Sequence, residues 1–96
     1  MSSVEMLVVM TYDISDNKRR RRMSKLLEQR MTRVQRSVFE ARLTAEVTDA
    51  LAGEAERHLG PGDSLRVYTV GADGLRRSRM LGDGAALQDA AGYWLV

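Results

Sequence analysis

Asp13 is the side chain best placed for chemistry, because it closes an apolar run and is followed almost at once by a block of cations. Met6 to Met10 reads Met-Leu-Val-Val-Met, Thr11 and Tyr12 prolong the run, and Asp13 ends it with a carboxylate. Ser15-Asp16-Asn17 then offers helix-capping oxygens, and Lys18, Arg19, Arg20, Arg21 and Arg22 follow. Two of these placements run against local preference. Asp is a poor strand former. Cations in a helix's first turn oppose the macrodipole by roughly 0.3–1 kcal/mol each when exposed. Both placements become favourable if a polyanion lies across the helix start and a divalent cation sits on Asp13. The plainer alternative is a solvated basic helix after a strand that simply ends at an Asp. Local rules broken together tend to mark functional sites, which favours the first reading.

One carboxylate is a thin metal site, but magnesium keeps several waters and commonly takes one or two carboxylates plus a substrate phosphate. Manganese is the alternative ion. No His lies near this stretch to serve as a base, so water activated by the metal is the expected nucleophile. Asp16 is an alternative second ligand, although its position suits a helix cap better. Ser37 has no His/Asp arrangement beside it, which argues against a serine nucleophile. The single histidine, His58, falls late in a second helix, where an imidazolium suits the negative dipole end, and it reads as structural.

The elements that must position these groups can be read from periodicity. Met6 to Asp13 reads as a central strand. Asp16 to Met31 reads as a helix, with Met23, Leu26, Leu27 and Met31 on one face. At about 100° per residue, Arg19 and Arg20 flank that face at its N-terminal end, so these two are expected nearest Asp13. Lys18, Arg21, Arg22 and Lys25 are expected to point into solvent. Thr32 to Leu43 is extended, either one bent strand or two short strands joined around Ser37. Thr44 to Leu59 reads as a second helix capped by Thr44, with Val47, Leu51, Ala55 and Leu59 inward, stopped by Gly60-Pro61-Gly62. Leu65 to Val70 alternates as a strand, Gly71 to Gly74 turns, and Leu75 to Leu81 reads as a last short strand bearing Arg76, Arg77 and Arg79.

Strands alternating with helices in this order predict an α+β chain of split βαβ units. With two middle strands it is a ferredoxin-like βαββαβ sandwich carrying an extra C-terminal strand. Two helices cover one face of such a sheet, so the apolar first strand predicts a homodimer packed sheet to sheet. Residues 1–82 form the expected domain. Residues 83–96, rich in Gly and Ala and ending Tyr-Trp-Leu-Val, form a tail expected to be docked or disordered, with Trp94 as an anchor.

Composition narrows the class. Ninety-six residues make one domain, and a 44% hydrophobic content suffices for one core. The chain has no Cys, which excludes disulfides, thiolate metal sites and a thiol nucleophile, and fits a reducing cytoplasm. Neither a signal peptide nor a membrane span is expected. The net charge of +2 hides segregation. Residues 18–42 hold ten cations against two carboxylates, whereas residues 43–65 hold one cation against five. A basic face beside an acidic helix points to phosphate binding at one place.

Two blocks carry a family resemblance. Val9-Met10-Thr11-Tyr12-Asp13-Ile14-Ser15-Asp16 with Arg20-x-Arg22 is followed by Arg33-Val34-Gln35-Arg36-Ser37-Val38-Phe39-Glu40. In this order and spacing, residues 4 to about 71 resemble the small CRISPR-associated nuclease family Cas-two, partner of the Cas-one integrase. After Val70 the match is loose. The resemblance implies a ferredoxin-like homodimer whose final strand crosses to the partner's sheet. It also implies magnesium-dependent phosphodiester cleavage of RNA or DNA, with Asp13 as metal ligand and catalytic residue. Tyr12, Arg20, Arg22, Arg33, Ser37 and Phe39 stand where the family has residues of activity or substrate contact, while Arg19 enters only through the helical-face argument. Read by itself, Phe39 suits a core better than a base-stacking platform. The family also holds the Cas-one integrase and new spacer DNA, a scaffold role that needs no cleavage. A general RNA-recognition module on the same fold is disfavoured, because Val38 to Leu43 contains a single aromatic.

Overall fold

A computed structural model describes residues 4–70 and 78–83. The order is β1 (Glu5–Asp13), α1 (Asn17–Glu28), β2 (Thr32–Gln35), β3 (Val38–Thr44), α2 (Ala45–Glu56), β4 (Ser64–Val70) and β5 (Arg79–Gly82). The five strands form one sheet in the order β2-β3-β1-β4-β5, with every neighbouring pair antiparallel. This is the ferredoxin-like α+β arrangement with one strand added at the β4 edge. The extended stretch before α2 resolves into two strands. Residues 36 and 37 make the turn, and a register shift lies between Arg33 and Gln35. The expected turn at Gly71 to Gly74, the start of the last strand with Arg76 and Arg77, and the tail with Trp94 lie outside the described residues.

Strand alternation decides what the sheet buries. Val8, Met10 and Tyr12 on β1, Phe39 and Leu43 on β3, and Leu65 and Val67 on β4 point to the helix side and are buried. Met23, Leu26 and Leu27 of α1 and Leu51, Ala52 and Ala55 of α2 close that core. Burying a side chain of this kind contributes about 1.5–3 kcal/mol. The opposite face, with Leu7, Val9, Thr11 and Val38, is only half-buried, and Val70 is 44% exposed. The resemblance implies a final strand that crosses to a partner. Within the single chain β5 pairs with β4, Ser64 opposite Gly82 and Leu65 opposite Leu81.

Both helices begin as the capping residues dictate. The Asp16 carboxylate accepts from the Arg19 backbone N–H at 2.9 Å, so Asp16 is a cap. That bond, first, and the nearby Arg19 charge hold the Asp16 carboxyl below its usual range. Thr44 Oγ1 accepts from the Val47 N–H at 3.1 Å at the start of α2. Thr44→Ala is expected to cost about 1 kcal/mol and to lower the melting temperature by roughly 4–8 °C, read by circular dichroism.

Candidate functional site

A cleft of about 640 Å³ opens where β1 ends, between the start of α1 and the β2–β3 turn. Tyr12, Asp13, Ile14, Asn17, Arg20, Arg21, Ser24, Arg33, Arg36 and Ser37 line it. The helix contributes Asn17, Arg20, Arg21 and Ser24, spaced i, i+3, i+4 and i+7, which is one flank of α1. The other wall is held by β1. The Tyr12 N–H donates to the Ser37 carbonyl at 3.1 Å, and the Tyr12 hydroxyl donates to the Arg36 carbonyl at 3.4 Å.

Arg33 braces the same turn. Its guanidinium donates to the Arg36 carbonyl at 3.0 Å and to the Ser24 hydroxyl, and lies 3.7 Å from the Glu28 carboxylate. It also sits 5.2 Å from the centroid of the Phe39 ring, a cation–π contact. Phe39 in turn stacks on Tyr12, with centroids 6.2 Å apart. Phe39 is wholly buried, which rules out a direct contact with substrate. Its place in the site is to carry Arg33 and Tyr12. Tyr12 is itself 7% exposed and reaches the cleft chiefly through its hydroxyl.

The Asp13 carboxylate is exposed and makes no hydrogen bond or ion pair among the described residues, although four arginines line the same cleft. Its oxygens are free to accept a ligand, and because the arginines repel a lone cation, a metal ion would enter most readily together with a phosphate. Among the described residues no three His, Cys, Asp or Glu side chains gather around a common point. A lone carboxylate of this kind could serve only an ion content with one protein ligand, as magnesium can be when a substrate phosphate is present.

Arg19 and Arg21 stand elsewhere than the helical-face argument expects, and Arg22 elsewhere than the family resemblance implies. Arg19 does not approach Asp13. Its Nε donates to the Asp63 carboxylate at 2.7 Å and its Nη2 to the same group at 3.4 Å. Asp63 is 1% exposed, in the α2–β4 connection, and its carboxyl also accepts from the Gly60 N–H at 2.8 Å. The Arg19 bond, ahead of any other cause, holds the Asp63 carboxyl below its usual range and raises the Arg19 pKa. Arg21 lines the cleft instead of pointing to bulk solvent, because the β2–β3 turn closes beside its flank of the helix. Arg22 is exposed but outside the cleft, on the opposite flank with Arg19. Of the residues expected at the site, the cleft gathers Asp13, Tyr12, Arg20, Arg33 and Ser37, and omits Arg19, Arg22 and Phe39. Arg20 Nη1 donates to the Ile14 and Ser15 carbonyls at 3.2 and 3.4 Å, tying α1 to the end of β1.

Asp63 was invisible to sequence reasoning. Its one local signal is the Gly60-Pro61-Gly62-Asp63 turn, which marks a chain reversal and not a buried acid. Gly82, at φ +90°, approaches so closely that a Cβ there would overlap the Asp63 carbonyl, so β5 too is fitted around this residue.

Comparison with known proteins agrees with this geometry. Residues 6–78 match the family model described as CRISPR associated protein Cas2. The chain is 44% identical over 73 residues to a CRISPR-associated endoribonuclease Cas2 of Synechocystis sp., covering 74% of this chain and 78% of the relative. A second relative, from Chloroflexus aurantiacus and of the same name, is 35% identical over 91 residues, covering 94% of this chain and 98% of the relative. The crystal structure of Streptococcus pyogenes Cas2 superposes with a TM-score of 0.63 at 32% identity, over 80% of this chain and all of that one (100%).

Proposed function

The chain belongs to the CRISPR-associated protein Cas2 family, and from that membership we propose that it is a magnesium-dependent endonuclease of RNA or DNA that serves spacer acquisition with the Cas-one integrase. The observation that carries the catalytic part is the unpaired Asp13 carboxylate in an arginine-lined cleft. Asp13 would hold the ion, which would supply Lewis-acid stabilisation of charge developing on the phosphate. The arginines draw the phosphodiester in and orient it. Arg20 keeps the end of β1 beside the helix, and Arg33 and Tyr12 keep the turn in place, so the walls need not reorganise as substrate enters.

A homodimer completes this reading. Alternation along β1 sets Asp13 on the same side of the strand as Leu7, Val9 and Thr11, the face that neither helix covers. A two-fold pairing of those half-buried faces brings two Asp13 side chains toward one groove. The test is cleavage of labelled RNA and duplex DNA by the purified protein with magnesium, with manganese, and with a chelator. Cleavage with either ion and none with the chelator is the expected result. A protein that binds and supports spacer integration but never cuts would leave the scaffold role alone, and chelator-resistant cleavage would sink the metal assignment. No helix among the described residues is long and apolar enough to cross a membrane.

A further inference from the structure

Four arginines line the cleft, and they are not equivalent. Arg20 commits one guanidinium nitrogen, Nη1, to the Ile14 and Ser15 carbonyls, which anchors its side chain to the end of β1. Arg33 spends its own on the Arg36 carbonyl, the Ser24 hydroxyl, the Glu28 carboxylate and the Phe39 ring. Both are built into the walls. Arg21 and Arg36 are exposed, line the same cleft, and have side chains with no hydrogen bond or ion pair among the described residues. Each therefore offers a full set of five N–H donors to whatever enters. They also come from separate elements, Arg21 from α1 and Arg36 from the β2–β3 turn, so they approach the cleft from its two walls.

We propose that Arg21 and Arg36 are the residues that grip the backbone phosphates of the nucleic acid in this cleft, through their guanidinium forks, while Arg20 and Arg33 hold the walls on which they stand. This rests on the reading that the cleft takes a nucleic-acid backbone. It also goes beyond it, since Arg21 and Arg36 are absent from the residues that the family resemblance marks. The backbone carbonyl of Arg36 shows the division directly. Tyr12 and Arg33 both donate to it, which fixes the turn and leaves the Arg36 side chain to act on a ligand. Planar forks suit phosphate, and two of them on opposite walls can grip a strand that passes between.

The test is binding of a short labelled DNA duplex and a single-stranded RNA, in magnesium-free buffer across a salt series, so that cleavage plays no part. Arg21→Gln with Arg36→Gln is compared with Lys18→Gln with Lys25→Gln, an equal charge change at exposed positions of α1 outside the cleft. Each phosphate that is no longer neutralised lowers the slope of log K against log salt on duplex by about 0.9. The Arg pair is expected to lose roughly 1.8 in slope and roughly 10- to 100-fold in affinity, and the Lys pair less than half of either. Equal losses in the two pairs, or no loss in the Arg pair, would overturn the assignment. Should the Gln pair fail to fold, Arg21→Lys with Arg36→Lys decides it. Weaker binding at an unchanged slope supports the forks, and wild-type affinity overturns them. A wild type that binds neither nucleic acid removes the underlying reading and this inference together. Cleavage that survives Asp13→Ala removes only the catalytic reading.

Discussion

Asp13→Ala is expected to abolish magnesium-dependent cleavage while leaving nucleic-acid binding in place. Among the described residues this carboxylate is the only acid that lines the cleft, so its removal would leave a metal ion no carboxylate ligand there. A metal contributes several kcal/mol of transition-state stabilisation, and its loss lowers the rate by roughly 10³-fold or more. Binding behaves differently. Without magnesium, a carboxylate among arginines repels the phosphate that those arginines attract. The Ala variant should therefore bind duplex or RNA as well as the parent in chelator, or better. Single-turnover cleavage and fluorescence anisotropy on the same preparations separate the two effects. An Ala variant that cuts at the parent's rate would remove Asp13 from the chemistry. One that neither cuts nor binds would show that the carboxylate shapes the cleft and not the reaction.

The second large effect is on stability and comes from a residue far from any motif. Asp63→Ala removes the acceptor for the Arg19 guanidinium and the Gly60 N–H, at a position 1% exposed. Removing one member of a buried, hydrogen-bonded pair strands its partners. With Arg19 still 30% exposed and partly hydrated, the expected cost is roughly 2–4 kcal/mol. In a domain of this size that lowers the melting temperature by roughly 10–25 °C. The depressed carboxyl also fixes the pH dependence. Its folded-state pKa lies below the unfolded value of about 3.9, so its contribution is complete above that value and is lost as pH falls through the folded one. Denaturant melts at neutral pH and near pH 3 should thus show the gap between parent and variant narrowing in acid. A gap that is small at neutral pH, or constant with pH, would mean that the Arg19–Asp63 pair adds little to the fold.

Much of the architecture was legible in the chain because local signals agreed. The Met-Leu-Val-Val-Met run and its neighbours marked the central strand, Asp16 and Thr44 capped their helices, and Met23, Leu26, Leu27 and Met31 all reached the core. The two middle strands could not be separated beforehand, because no Gly or Pro marks the turn at Arg36 and Ser37. The long-range bonds from Tyr12, with a local one from Arg33, hold that turn. The same limit explains Arg19 and Arg21. A helical wheel orders side chains around their own axis but carries no information on which neighbour meets which flank.

Taken alone, the sequence determined the kinds of element, their order, the acid at the strand end and the concentration of arginine after it. These follow from period, capping and charge, which act over a few residues. Only the tertiary structure decided which arginines are tied into the protein and which face the cleft. That depends on partners 44 residues apart for Arg19 and Asp63 and 24 apart for Tyr12 and Arg36, and the packed sheet alone brings such distant groups within hydrogen-bond reach.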